Sequence, residues 1–266
     1  TVLNVYGLEV WSGLSKDAAW GLKHVDHIIS DCHNTKDYIV RNNIRDEHEI
    51  EVIWDCVDLE KFQPANSKDL SVIAKIYNLP SKGDKTIILT LGRIAQAAKH
   101  KGYHRLLNTF SSMDQSKYTL VFAGKGDMVD ELKSLATKLN VAENVCFAGM
   151  IHEDHMASIY SYGDIFSLVS EVGEGMGEGI PLTPIEAMAC GTPIVVGDMD
   201  GSREAIIDNN GICIESHNQD ALQHAIETIA SDIAKYSDAA LHVARETFSY
   251  KKFENKHINY YGKIGS

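Results

Sequence analysis

Three things are scarce in this chain, and each scarcity closes off a class of protein. Cysteine is the first: Cys32, Cys56, Cys146, Cys190 and Cys213 are odd in number and widely spaced, with no C-x-x-C pair. Neither a disulfide framework nor a zinc site is expected, and a reduced, cytoplasmic compartment fits. Positive charge is the second: 25 Lys+Arg against 37 Asp+Glu leave a net charge of −12. That balance excludes a broad attraction to nucleic acid or to an anionic membrane, so any anionic ligand must be held by a local cluster. Long apolar runs are the third, since none approaches the roughly 20 residues of a membrane span. The start, "TVLNVYGLEVW", has neither Met nor a basic-then-apolar signal pattern. Internal repeats and low-complexity tracts are missing too. Ser170 lies outside any G-x-S-x-G elbow, and His152 and His155 lack both the H-E-x-x-H spacing and a third ligand, so no hydrolase or metal site is expected.

What is present is an alternation. From about Ile87 onward, short apolar runs such as "TIILTLG", "YTLVFAG", "NVCFAG", "IFSLVS" and "PIVV" are each followed by a helical pattern, the last of these being "SREAII". Strands alternating with helices predict βαβ units, hence an α/β, Rossmann-like, doubly wound parallel sheet. In "MVDELKSLATKL", Met128, Leu132, Leu135 and Leu139 fall on one helical face. Uniformly apolar strands imply burial on both faces. Residues 1–53 repeat the idiom on a smaller scale and read as the end of another α/β domain. Residues 54–84 read as linker and first helix, 85–248 as the complete domain, and 249–266 as a C-terminal helix packed on a surface. The chain is expected to be the back part of a longer protein.

In an open α/β sheet, ligands bind beyond the carboxyl ends of the strands, where following helices present unpaired N–H groups. Three segments have that position. In "LGRIAQAAKHKGYHRLL", Gly92 and Arg93 follow a strand, and Lys99, Lys101 and Gly102 precede a helix. A planar Arg fork with a mobile Lys suits a diphosphate, although solvated loop charges explain the same residues. "FAGKGD" falls short of G-x-G-x-x-G because Val129 holds the third position, so a tight turn is the better reading; Gly124 and Gly126 still allow a ligand to approach the backbone. "EVGEGMGEGIPLTPIEAMACGTPIVV" is the third. Its Thr183, Pro184 and Glu186 spell a capping box at a helix start, which accounts for Glu186 without a ligand but leaves Glu174 and Glu178 unexplained.

Several of these motifs together resemble the family-4 retaining glycosyltransferases of the GT-B fold (glycosyl transferases group 1) over nearly the whole chain. Glu178, seven residues, then Glu186 and "AMACGTPIVV" resemble the family's E-G-F-G-L-x-x-x-E-A-M-A-x-G-x-P-V-V. "VIWDCVDLEKF" resembles its interdomain segment, and "GR" with a later "KG" resembles its phosphate-binding loop. The resemblance implies roles residue by residue. Arg93 and Lys101 would meet the donor diphosphate, Glu178 the transferred sugar and Glu186 the ribose hydroxyls, with Gly92, Gly179 and Ile180 also binding the donor. Main chain at Met150 and Ile151 would meet the base, and at Leu182 and Thr183 a phosphate. Arg93, Lys101 and Glu178 would carry the chemistry, with no metal and no resident cofactor. There are departures from the pattern. The gap between Arg93 and Lys101 is longer than usual, which makes Lys99 an alternative phosphate ligand. Pro181 replaces a Gly, and Tyr6 replaces the His often found near the acceptor site. The family is also longer at its N-terminus.

The resemblance therefore implies a retaining hexosyltransferase. It would move a sugar from a nucleotide sugar, UDP-linked by preference, to a carbohydrate or lipid-linked acceptor hydroxyl in polysaccharide or glycolipid synthesis. Any peripheral membrane contact would be left to a part N-terminal to this chain. Two rivals stay open: a GT-B nucleotide-sugar epimerase, which needs no acceptor, and a donor-binding module without activity of its own.

Overall fold

The computed structural model describes residues 1–11, 13–83, 85–173 and 177–265. The chain begins with β1 (Val2–Val5), α1 (Leu8–Trp11), α2 (Lys16–His24), β2 (His27–Ser30), α3 (His33–Arg41) and β3 (Ile50–Val52). Here β1, β2 and β3 form a three-stranded parallel sheet in that order. Next come α4 (Ser67–Ile76), β4 (Thr86–Leu91), α5 (Tyr103–Ser112), β5 (Tyr118–Ala123), α6 (Val129–Lys138), β6 (Val145–Gly149), α7 (Met156–Tyr162) and β7 (Ile165–Leu168). The chain closes with α8 (Leu182–Ala189), β8 (Ile194–Gly197), β9 (Gly211–Ile214), α9 (Gln219–Ser231), α10 (Ile233–Thr247) and α11 (Tyr250–Ile264).

The second sheet has six parallel strands in the order β6-β5-β4-β7-β8-β9. This is the doubly wound 3-2-1-4-5-6 arrangement, whose strand order reverses between β4 and β7; crevices at such a reversal bind ligands. Alternation along the strands divides the core into two layers. Ile87, Leu89, Leu91, Phe166, Leu168, Ile194 and Val196 face Ile73 of α4, Tyr160 of α7, Met188 of α8 and Val243 of α10. Ile88, Leu120, Phe122, Ile165 and Val195 face Leu107 and Phe110 of α5, Leu132 of α6 and Ile226 of α9. Each such side chain taken fully from water contributes about 1.5–3 kcal/mol, so both helical layers are needed to cover a sheet this apolar. The predicted face of α6 is in place, with Met128 and Leu132 buried and Leu135 and Leu139 packed against the same layer.

Two details join the sheets. Helix α11 lies on the smaller sheet, where Tyr260 packs with Ile29 and Ile53. The Glu204 carboxylate, from the turn after β8, accepts the backbone N–H groups of His33 (2.9 Å) and Asn34 (2.8 Å) at the start of α3 and the indole N–H of Trp54 (2.7 Å). An acidic group at a helix start both satisfies free N–H donors and complements the helix dipole.

The "SREAII" segment is not the expected α-helix. Residues Gly201–Ala205 form a 3-10 turn, because the Asp200 carboxylate captures the N–H of Ser202 (2.9 Å) and Asn210 captures that of Ile207 (2.9 Å) before a helix can propagate.

Candidate active site at the strand-order reversal

The carboxyl ends of β4 and β7 bring together segments far apart in sequence. Gly92 and Arg93 leave β4; Arg93 is exposed, and its guanidinium makes no hydrogen bond or ion pair with the described residues. The 3-10 segment Gln96–Lys101 follows and ends at Gly102, whose φ of 76° lies in the left-handed region. A Cβ there would stand 2.3 Å from the carbonyl oxygen of Val169, so only glycine lets this segment close onto the end of β7. That closure delivers His100 and Lys101 to Glu178. Lys101 Nζ donates to Glu178 Oε1 at 2.5 Å, and His100 Nε2 lies 3.0 Å from the same oxygen. The other carboxylate oxygen, Oε2, has no partner among the described residues. Burial would raise the Glu178 carboxyl, but the His100 contact and the Lys101 charge outweigh it, holding it below its ordinary range.

The segment carrying Glu178 is clamped from two sides. Its own N–H donates to Asp200 Oδ2 (3.2 Å), and Asp200 is fully buried. The N–H of Ile180 donates to Oδ2 of Asp31 (3.1 Å), which sits just beyond β2 in the other sheet. Gly179 lies between them, and a Cβ on it would fall 1.9 Å from Asp31 Oδ2.

Helix α8 corrects the expected capping box. It starts at Leu182 with Pro181 as its N-cap, two residues earlier than the Thr183 cap requires. The hydroxyl of Thr183 is buried without a hydrogen-bond partner among the described residues, so it caps nothing. The phenolic hydroxyl of Tyr160 donates to Glu186 Oε2 at 2.6 Å, and burial nonetheless raises the Glu186 carboxyl above its ordinary range. Capping and ligand binding therefore do not compete for this carboxylate. The exposed Leu182 opens the helix, where the first N–H groups have no intrahelical acceptor.

A cleft of ≈ 560 Å³ adjoins Arg93, lined mainly by apolar atoms of Leu91, Ala95, Met150, Ile151 and Met156. Gly124 and Gly126 also line it, but their missing side chains serve the fold. A Cβ on Gly124 would stand 1.9 Å from the Gly92 carbonyl oxygen, and one on Gly126 2.1 Å from that of Ile94. The close backbone approach allowed by "AGKGD" is thus between two loops of the protein. Of the two lysines proposed for phosphate, Lys101 runs its stem beside Gly92, whereas Lys99 lines a separate polar cleft with His104, Arg105 and Glu171.

His155 is held by the Tyr77 hydroxyl (2.7 Å), and among the described residues no group of three or more His, Cys, Asp or Glu is placed to hold a metal ion. Glu174 lies outside the described residues. His100, Asp31, Asp200 and Tyr160 had no place in the sequence motifs. His100 alone had a local signal, its position beside Lys101; the other three act through contacts of 22 to 149 residues' separation.

Residues 74–241 match the model of the family described as glycosyl transferases group 1. An uncharacterized glycosyltransferase of Methanocaldococcus jannaschii is 32% identical over 151 residues, 56% of this chain and 37% of that protein. A GDP-mannose-dependent alpha-(1-6)-phosphatidylinositol monomannoside mannosyltransferase of Mycolicibacterium smegmatis is 26% identical over 181 residues, covering 66% of this chain and 46% of that one. The chain thus spans less than half the length of both. Among solved structures, Anabaena HepE in complex with UDP superposes with a TM-score of 0.83 at 17% identity, over 98% of this chain and 72% of that one.

Proposed function

The chain belongs to the glycosyl transferases group 1 family, and from that membership we propose a retaining transfer of a hexosyl group from a nucleotide sugar to an acceptor hydroxyl. The observation that carries this reading is the Glu178 carboxylate. One oxygen is bound to Lys101 and His100, while the other is left for a ligand hydroxyl at the reversal of strand order. Arg93 and Lys101 take the two charges of the diphosphate, with the first N–H groups of α8, at Leu182 and Thr183, beside them. Two opposite unit charges about 4 Å apart at an effective dielectric near 20 attract by roughly 4 kcal/mol, enough for two cations to stabilise the departing nucleoside diphosphate without a metal. Glu186, oriented by Tyr160, receives the ribose hydroxyls, and the apolar cleft at Met150 and Ile151 receives the base.

Transfer proceeds through an oxocarbenium-like state, the acceptor attacking from the face that the leaving phosphate vacates, with that phosphate accepting its proton. Glu178 orients the sugar hydroxyls and opposes the positive charge on the ring; it forms no covalent bond in this scheme. UDP is the first choice of nucleotide, as bound to the Anabaena structure, and the GDP-mannose dependence of the mycobacterial relative makes GDP the second. The acceptor is a carbohydrate or lipid-linked sugar of polysaccharide or glycolipid synthesis, and the compartment is the cytoplasm. No helix among the described residues is long and apolar enough to cross a membrane.

The test is a thermal-shift and calorimetric panel of UDP, GDP, UDP-glucose and GDP-mannose, since a ligand at one hundred times its Kd adds about 2.7 kcal/mol of stability. A protein that none of the four stabilises is not a nucleotide-sugar enzyme of this kind. In the intact enzyme, Glu178→Ala lowers turnover far more than nucleotide affinity; unchanged turnover removes Glu178 from the mechanism.

A further inference from the structure

Asp31 stands apart from every motif considered so far. It follows β2 in the three-stranded sheet, is 5% exposed, and extends its carboxylate across to the six-stranded sheet. Oδ2 accepts the Ile180 N–H at 3.1 Å, while Oδ1 is buried with no hydrogen-bond partner among the described residues. The contact is tight, because a Cβ on Gly179 would fall 1.9 Å from Asp31 Oδ2 and 2.6 Å from the carbonyl oxygen of Tyr6. On its other side Gly179 is stopped by Gly201, where a Cβ would fall 2.1 Å from the Gly179 carbonyl oxygen. The three residues Glu178, Gly179 and Ile180 are thus gripped by two buried aspartates. Asp200 belongs to the same sheet as Glu178 and holds the Glu178 N–H; Asp31 belongs to the other sheet and holds the Ile180 N–H.

A buried carboxylate with one oxygen unsatisfied is expensive to maintain. The start of α3 has other partners within the smaller sheet, since Ser30 Oγ donates to the Cys32 carbonyl and Cys32 caps the helix. We propose that Asp31 is a positioning residue for the Glu178–Ile180 loop, making the placement of the Glu178 carboxylate conditional on the approach of the three-stranded sheet. Glu178 is then set for the sugar only while both sheets grip its loop, so the half of the molecule that does not bind nucleotide governs the geometry of the half that does. The consequence for catalysis rests on the proposed role of Glu178; the tether itself does not.

The experiment compares Asp31→Ala and Asp31→Asn with wild type in the intact protein. It reads amide hydrogen exchange over residues 177–182, UDP and GDP affinity, and kcat and KM for UDP-glucose and GDP-mannose consumption. Asp31→Ala should speed exchange in that segment about tenfold or more. It should lower kcat by roughly a hundredfold, the penalty of a 1 Å misplacement, with KM and nucleotide affinity within about threefold of wild type. Asp31→Asn, whose amide oxygen still accepts the Ile180 N–H, should restore both exchange and kcat. Wild-type exchange over 177–182 in Asp31→Ala overturns the tether. So does faster exchange spread equally through β2 and α3 with no rescue by Asn, which marks a folding role. If wild type binds neither nucleotide and consumes neither sugar donor, the proposed function fails, and the exchange data still decide for or against the tether.

Discussion

Gly179→Ala is the sharpest perturbation available, because a single methyl group meets three fixed atoms. It would lie 1.9 Å from Asp31 Oδ2, 2.9 Å from Asp31 Cγ and 2.6 Å from the carbonyl oxygen of Tyr6. Gly179 is outside the left-handed region, so alanine suffers no backbone strain and the whole effect is steric. Carbon and oxygen atoms settle near 3.5 Å, so loop and Asp31 must part by more than 1 Å, while Gly201 blocks the Gly179 carbonyl behind. Overpacking of this kind costs about 1–3 kcal/mol, and losing a hydrogen bond to a charged group adds about 1.5–3 kcal/mol. We expect a loss of roughly 2.5–6 kcal/mol, seen as a fall in Tm of about 5–20 °C. Turnover should fall by about a hundredfold as Glu178 is displaced. The assays are a urea titration and consumption of UDP-glucose or GDP-mannose. Adding Asp31→Ala removes two of the three clashes, so the double variant should be less destabilised than the two single losses added together. A Gly179→Ala protein within about 0.5 kcal/mol of wild type, with wild-type turnover, would refute the packing argument outright.

Three further outcomes are open to measurement. Burial, with Asp55 adding to it, pushes the Asp31 carboxyl up to about 6 against the opposing pull of Cys32, the Ile180 N–H and Thr35, so the folded state binds a proton that the unfolded state releases. The charged and titratable groups around it are Asp55 beyond β3, Cys32 at the start of α3, Tyr6 beyond β1, His257 on α11 and Glu178 on the loop before α8. A raised carboxyl favours folding at low pH, and that contribution is lost as pH rises through about 6, by up to about 3 kcal/mol. The stability of Asp31→Asn relative to wild type should therefore climb between about pH 4 and pH 7; a difference flat across that window refutes the assignment. Tyr160→Phe removes the 2.6 Å donor of Glu186 and should weaken UDP or GDP binding about tenfold or more by calorimetry, leaving kcat at saturation little changed. Glu204→Ala leaves two helix N–H groups and the Trp54 indole without their acceptor and should cost about 2–3 kcal/mol in urea, with Glu204→Gln recovering part of it.

Where the chain was legible from sequence, one local pattern sufficed. Runs such as "TIILTL" and "YTLVFA" read as strands buried on both faces, and β4 and β5 are so buried. Helix α6 was legible because its apolar spacing is regular. The two misreadings have one cause each: a long-range contact claims a motif residue in the first, and short-range side-chain bonds outcompete the helix in the second. Thr183-Pro184-x-Glu186 has the letters of a capping box, yet the Tyr160 hydroxyl, 26 residues earlier, claims the glutamate. "SREAII" has helical spacing, yet Asp200 and Asn210 take its N–H groups. At the site, Arg93, Lys101, Glu178 and Glu186 were visible as motif letters. What positions them was not, since Asp31 reaches Ile180 across 149 residues and no spacing rule spans that distance.

The ion pair between Lys101 and Glu178 also bears on what the site refuses. A plain anion is met by Arg93, but it recruits Lys101 only by drawing that lysine off a largely buried carboxylate, which keeps His100 in its place. A bare sugar can meet Glu178 but finds Lys101 already engaged. Only a molecule that is anionic at one end and hydroxylated at the other replaces what it disrupts. The site therefore answers weakly to either half of such a molecule alone and strongly to the two joined.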